Sequence, residues 1–111
     1  MILLISSQGQ NLESPIEHRF GRSPWLIKYD TETKENQALP NPGGRQSGGA
    51  GVAAAQFVID QAADVVISGD FGPNAANALR AADVKMYLFD GNLNNVDDVI
   101  DTFLEGKLPA F

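Results

Sequence analysis

Three arginines and one dense run of glycines are the residues of this sequence whose type and spacing could do chemistry. From Asn41 to Gln56 the chain reads Asn-Pro-Gly-Gly-Arg-Gln-Ser-Gly-Gly-Ala-Gly-Val-Ala-Ala-Ala-Gln, and five of its eleven glycines fall within nine residues around Arg45. Glycines at that density let successive backbone N–H groups point the same way. The alanine-rich run that follows reads as a helix, whose first N–H groups lack intrahelical acceptors and carry the positive end of the dipole. Both features suit an anion. Arg19 and Arg22, in an earlier polar stretch, would add guanidinium donors. The competing reading is a solvated loop between a strand and a helix, with Arg45 in water and with Arg19 and Arg22 ordering their own loop by pairing with Glu13 or Glu17.

The elements that must position these residues follow from periodicity. Ile2–Ser6 is a short continuous apolar run, the pattern of a strand covered on both faces. Ser7–Pro24 is a long polar loop. Trp25–Asp30 and Glu35–Leu39 read as two strands of a hairpin turning at Thr31–Lys34, the second polar enough for an edge and closed by Pro40. A helix then runs from about Gly49 or Ala50 to Asp60, with Val52, Ala55, Ile59 and Ala62 spaced for a core face. Asp64–Ser68 is a buried strand, Asn74–Ala82 a helix, and Val84–Phe89 another strand. Asn95 caps a last helix on which Val96, Val99, Ile100, Phe103 and Leu104 share one side and Gly106 is the stop.

The order β-β-β-α-β-α-β-α implies an α/β fold with a mixed five-stranded sheet and helices on both faces. If the first three strands form a meander, the loops Ser6–Pro24, Pro40–Gly49, Gly69–Pro73 and Asp90–Asn94 all emerge at one edge of the sheet. Open α/β sheets bind ligands at that edge, beyond the carboxyl ends of their strands.

Bulk properties narrow the function. With 111 residues, 43% hydrophobic and 20% charged, the chain reads as one domain spanning 1–111 that buries a core without staples. Fourteen acidic and eight basic side chains give a net charge of −6, which argues against nucleic acid or an anionic membrane as partner. There is no cysteine, hence no disulfide, thiolate metal site or cysteine nucleophile. The start Met-Ile-Leu-Leu-Ile reaches Ser6 without a basic flank, too short for a signal peptide or a membrane span, so a cytoplasmic location is expected.

Taken in order, Glu13-Ser-Pro-Ile16, Arg19-Phe-Gly-Arg22, Tyr29-Asp-Thr-Glu32, the Gly49-Ala-Gly51 helix start, Val65-Val-Ile-Ser-Gly69 and Gly72-Pro-Asn-Ala75 resemble the dinitrogenase iron-molybdenum cofactor biosynthesis domain family. The resemblance spans about Ile2 to Leu108. It implies a three-layer α/β/α, ribonuclease-H-like fold and a non-catalytic carrier for a metal-sulfur cluster or its precursor, of Fe-Mo or Mo-Cu type. Cofactor-assembly or redox proteins are the expected protein partners, and the chain is expected as a monomer or weak dimer, a choice the sequence leaves open. Many members carry a histidine immediately before the Gly-Ala of the helix start, where this chain has Gly48, and others one before Phe-Gly, where it has Arg19. Those departures remove two imidazole ligands.

Without them, a thiometallate anion would be held by hydrogen bonds to its sulfides from the amides of Gly48, Gly49, Ala50, Gly51 and Val52 and from Arg19, Arg22 and Arg45. Phe20, Phe71 and Gly72 complete the expected site, although both phenylalanines could simply anchor their loops in the core. His18 is the one histidine and the one side chain of that class that could ligate a metal. Rival readings are a nuclease, a phosphate or nucleotide binder, and a regulatory module. The first lacks a carboxylate on its first strand, and Glu13, Glu17, Asp70 and Asp90 show no spacing for a metal pair. The second uses the same glycines but lacks the glycine signatures of dinucleotide and P-loop sites. The third would use acidic Asp97, Asp98, Asp101 and Glu105.

Overall fold

The computed structural model describes every residue from Met1 to Phe111. Its strands are β1 (Ile2–Ser7), β2 (Trp25–Asp30), β3 (Asn36–Pro40), β4 (Val65–Ser68) and β5 (Lys85–Leu88), and its helices α1 (Ala50–Asp60), α2 (Pro73–Ala81) and α3 (Val96–Leu104). The five strands form one sheet in the order β3-β2-β1-β4-β5. β1 pairs antiparallel with β2 and parallel with β4, so β3, antiparallel to β2, runs with β1, β4 and β5. The meander therefore places the carboxyl ends of four strands at one edge, as the element order implies.

Alternation along the strands divides the core in two. Leu4, Leu26, Val66 and Met86 face α1 and α2, where they meet Ala54, Ala55, Val58, Ala75, Ala76 and Leu79. Leu3, Ile5, Ile27, Val65 and Ile67 face α3 through Val96, Val99 and Ile100. A strand at the centre of such a sandwich needs apolar side chains of both parities, which is why β1 reads as an unbroken run. At α3, Asn95 accepts from the Asp98 N–H at 2.8 Å, with Asp97 and Asp98 in the first turn where the dipole favours them.

Two expectations need correction. The buried face of α1 is Ala50, Ala54, Ala55 and Val58; Val52 is 47% exposed, and Ala62 lies beyond the helix at φ 56° in a turn. Small residues decide this orientation. α1 packs on α2 so closely that a Cβ on Gly51 would lie 3.3 Å from that of Ala75, and only the alanine stripe permits that approach. The glycine segment is also more ordered than a plain loop, because Pro42–Arg45 forms one turn of 3₁₀ helix, with Asn41 Oδ1 accepting from the Gly43 N–H at 3.1 Å.

Candidate anion site at the carboxyl edge of the sheet

The long loop before β2 is tied down at several points. β-Bridges join Ser7 to Ile16, Pro15 to Asn95 and Arg19 to Asp70. Below the loop, Ser6 and Ser68 lie at the carboxyl ends of the adjacent strands β1 and β4, as the last residue but one and the last, with buried hydroxyls 2.8 Å apart. Ser6 Oγ lies 2.7 Å from the Glu17 carbonyl and Ser68 Oγ donates to the His18 carbonyl at 3.2 Å, while the Gly69 N–H also donates to His18 at 3.0 Å. The backbone of residues 17–18 is thus pinned over the two central strand ends.

The next residues are held from the other side. Phe20 is buried beside Phe71, ring centroids 5.1 Å apart, and Phe71 is in turn 5.3 Å from Phe111. Asn41 Nδ2 donates to the Phe20 carbonyl at 3.1 Å and to Ser23 Oγ at 3.0 Å. Gly21 lies against the start of α1 so tightly that a Cβ there would sit 2.8 Å from the Gly51 nitrogen. A Cβ on Gly43 would sit 2.3 Å from the Ala50 carbonyl oxygen. Three backbone segments cross where only glycine fits, and the crossing fixes the arginine loop against the glycine segment.

The helix start left between them is open. Gly49 precedes α1 in the left-handed region at φ 69° with no side chain to cap the helix, and the first intrahelical bond is made by the Ala53 N–H to the Gly49 carbonyl. The N–H groups of Ser47, Gly48, Gly49, Ala50, Gly51 and Val52 donate to no acceptor in the protein. α2 starts beside it without a side-chain cap either, Gly72 preceding Pro73 and its first bond made by the Ala76 N–H. Two dipole ends and a continuous run of unengaged donors therefore share one stretch of surface.

The arginines are spread around this run. Arg22 Nη1 donates to the Gln46 carbonyl and so joins the glycine segment directly. Arg19 is exposed and pairs with Glu17 at 3.6 Å. Arg45 closes the 3₁₀ turn and borders a depression with Arg22, Trp25 and Gly44. Phe20 and Phe71, 2% and 4% exposed, lie beneath the loops. His18 covers Gly69 with its ring and borders a separate depression with Asp90 and Asn94. No three histidine or acidic side chains are grouped to hold a metal ion.

Comparison with known proteins places the chain in a family. The model of the family described as dinitrogenase iron-molybdenum cofactor matches residues 1–106. The chain belongs to this family. Among solved structures it is similar to the apo form of the orange protein from Desulfovibrio gigas, with a TM-score of 0.92 and 29% identity over 99% of this chain and 92% of that one. It is also similar to a NifB-like protein from Thermotoga, with a TM-score of 0.84 and 32% identity over 98% and 91% of the two chains. An uncharacterized protein of Methanocaldococcus jannaschii is 26% identical over 95 residues, 83% of this chain and 79% of that protein.

For a member of the dinitrogenase iron-molybdenum cofactor family, the expected site residues leave out four that tie these loops together, Ser6, Ser23, Asn41 and Ser68, all buried, although Asn41 and Ser68 lie within the quoted motifs. Their signal is weak but present. Two serines end apolar strands, and an asparagine precedes Pro42 and the glycine pair, a position where its side chain can close a turn on its own backbone. No helix is long and apolar enough to cross a membrane.

Proposed function

We propose that this chain is a non-catalytic carrier, acting as one domain in the cytoplasm, for an anionic metal-sulfur cluster or its precursor, a thiometallate of Mo-Cu or Fe-Mo type. The observation that carries the proposal is the unbroken run of unengaged N–H donors from Ser47 to Val52 at an uncapped helix start. Sulfide ligands accept hydrogen bonds, and a cluster with net negative charge gains from dipole ends and guanidinium groups without needing a protein ligand. Gly48, Gly49 and Gly72, where an added Cβ would meet nothing within 4 Å, supply approach without side-chain obstruction, and Ala50 and Gly51 add backbone N–H groups. Arg19, Arg22 and Arg45 supply charge at the rim, and Phe20 and Phe71 beneath the loops keep the floor dry. Family membership and the likeness to the orange protein support a carrier reading.

The test is visible absorption of apo-protein incubated with tetrathiomolybdate, with and without copper, and then desalted. Charge-transfer bands that travel with the protein are expected. Replacing Arg19, Arg22 and Arg45 together by alanine should weaken retention at least about tenfold, with the melting temperature changed by only a few degrees. Unaltered retention in the triple variant would remove the arginines from the site. A colourless wild-type protein whose amides at 47–52 respond instead to inorganic phosphate would make it a phosphate binder.

A further inference from the structure

We propose that the notch between Arg22, Trp25 and Arg45 is the docking point for an acidic segment of a partner protein. The inference rests on the carrier reading, because it places the partner beside the mouth through which cargo would pass. Arg22, Trp25 and Arg45 border a depression of about 240 Å³ whose other walls are Pro24, Pro40, Asn41 and Gly44. Arg45 also borders the adjoining depression, with Gln46, Pro42 and Phe57. Neither contains a carboxylate. The ion pairs of the protein are Met1–Glu32, Arg19–Glu17 and Lys107–Glu105, so neither Arg22 nor Arg45 has an acidic partner. In a chain of net charge −6, two unneutralised arginines bordering one depression run against the overall sign.

The composition is that of an interface centre. Tryptophan and arginine are the residues most enriched among those that dominate binding energy, and the walls here are rigid. Trp25 opens β2 and is fixed by pairing on both sides, opposite Ser7 and Pro40. Arg22 is already held by its bond to the Gln46 carbonyl, which leaves further N–H donors of its guanidinium for a carboxylate and lowers the entropic cost of using them.

Size and charge choose the occupant. The depression is smaller than the roughly 300–1,000 Å³ of ordinary small-molecule pockets, so it accepts one or two side chains of a segment that continues across the surface. Nucleic acid is disfavoured, since its dense phosphates would meet fourteen carboxylates elsewhere, whereas a short acidic segment needs only the two guanidinium groups. Gln46, which anchors Arg22, directly precedes the amide run at Ser47–Val52, so a docked partner would lie next to the cargo.

Trp25 is the only tryptophan, so emission excited at wavelengths where the two tyrosines do not absorb reads the notch alone. The probe is a blocked peptide of four glutamates and two leucines, with lysine replacing glutamate in the control. A saturable change in Trp25 emission with the glutamate peptide is expected, none with the lysine peptide, and the affinity should fall as salt rises. Arg45→Gln, checked by an unchanged melting curve, should weaken it about fivefold. Silence toward the glutamate peptide, an undiminished response in Arg45→Gln, or an equal response to inorganic phosphate at matched charge would overturn the proposal. So would a wild-type dimer that Arg45→Gln dissolves, since the occupant would then be a second copy. Thiometallate retention read on the same samples separates the two readings: a protein that keeps its colour and ignores the peptide refutes docking alone, and one that binds the peptide but never colours refutes the carrier alone.

Discussion

Asn41 is the residue whose removal should most clearly loosen the site. Its side chain is 2% exposed and makes three hydrogen bonds: two across to the other site loop, donated to the Phe20 carbonyl and to Ser23 Oγ, and one within its own loop, accepted from the Gly43 N–H. Asn41→Ala deletes all three. The two donated bonds contribute about 1 kcal/mol each, and the buried Gly43 N–H left without an acceptor costs about 1–3 kcal/mol. The Phe20 carbonyl keeps one partner, the Ser23 hydroxyl at 3.3 Å, which moderates the loss. A net destabilisation of about 3 kcal/mol follows, equivalent to a fall in Tm of roughly 12 °C or more for a domain of this size. Urea denaturation should show the midpoint falling with its slope unchanged, since the exposed surface of the unfolded chain is the same. A loss below about 1 kcal/mol would refute the inference that this amide, more than the surrounding apolar contacts, joins the loops.

Asn41→Asp sharpens the test. The carboxylate can still accept from the Gly43 N–H, but it faces the Phe20 carbonyl with an oxygen where the amide had a donor. Only the protonated acid can donate there, so folding favours the neutral form and raises the group's pKa above its unfolded value. A group shifted upward contributes stability that is complete below the unfolded pKa and lost as pH rises through the folded one. Asn41→Asp should therefore be less stable than Asn41→Ala at neutral pH and should overtake it as the medium is acidified. A difference between the two that is independent of pH would show that the side chain has turned to solvent.

Three further outcomes are expected. Gly21→Ala must push its Cβ into the backbone at Ala50–Gly51 and should cost about 1–3 kcal/mol, whereas Gly48→Ala meets nothing within 4 Å and should leave thermal stability within about 0.5 kcal/mol, as paired melting curves will show. Phe111→Ala removes a half-exposed ring that packs at a tilt on Phe71 and lies under the Arg80 guanidinium at 5.6 Å; global stability should drop by about 1 kcal/mol, with amide exchange accelerated most at 69–72. Asp30 accepts from the Glu32 N–H and then the Thr33 N–H, which holds its carboxyl below the usual range. That stability is present above the unfolded pKa and lost as pH falls through the folded one, so the gap between wild type and Asp30→Asn in urea melts should close on acidification.

The layered fold was legible because it depends on residues that repeat. The two-sided apolar run of β1, the alternation in β2 and the stripe of α3 each carry a period, and Asn95 with its following aspartates marks a helix start by type alone. The face of α1 was not legible, since a helix of alanines and glycines has an almost uniform surface, and its orientation is set by how near α2 and the glycine crossing can come. The serine and asparagine contacts beneath the site carry no period either. Ser68 meets His18, fifty residues away in sequence, only once the sheet has formed.

One contrast inside the chain bears on why the site stays open. α3 receives a capping asparagine, a feature worth about 1 kcal/mol, while α1 and α2, which start side by side at the carboxyl edge, receive glycine and no capping side chain. A serine or aspartate at either start would satisfy N–H groups that now have no acceptor in the protein, so the sequence forgoes stability at two adjacent helix starts and takes it at the third. Gly49 adds to that cost, being the residue that leaves least side chain over the run and also the one that gives up most entropy on folding. Local rules of stability broken together at one place, and kept elsewhere in the same chain, are what a binding surface made from backbone requires.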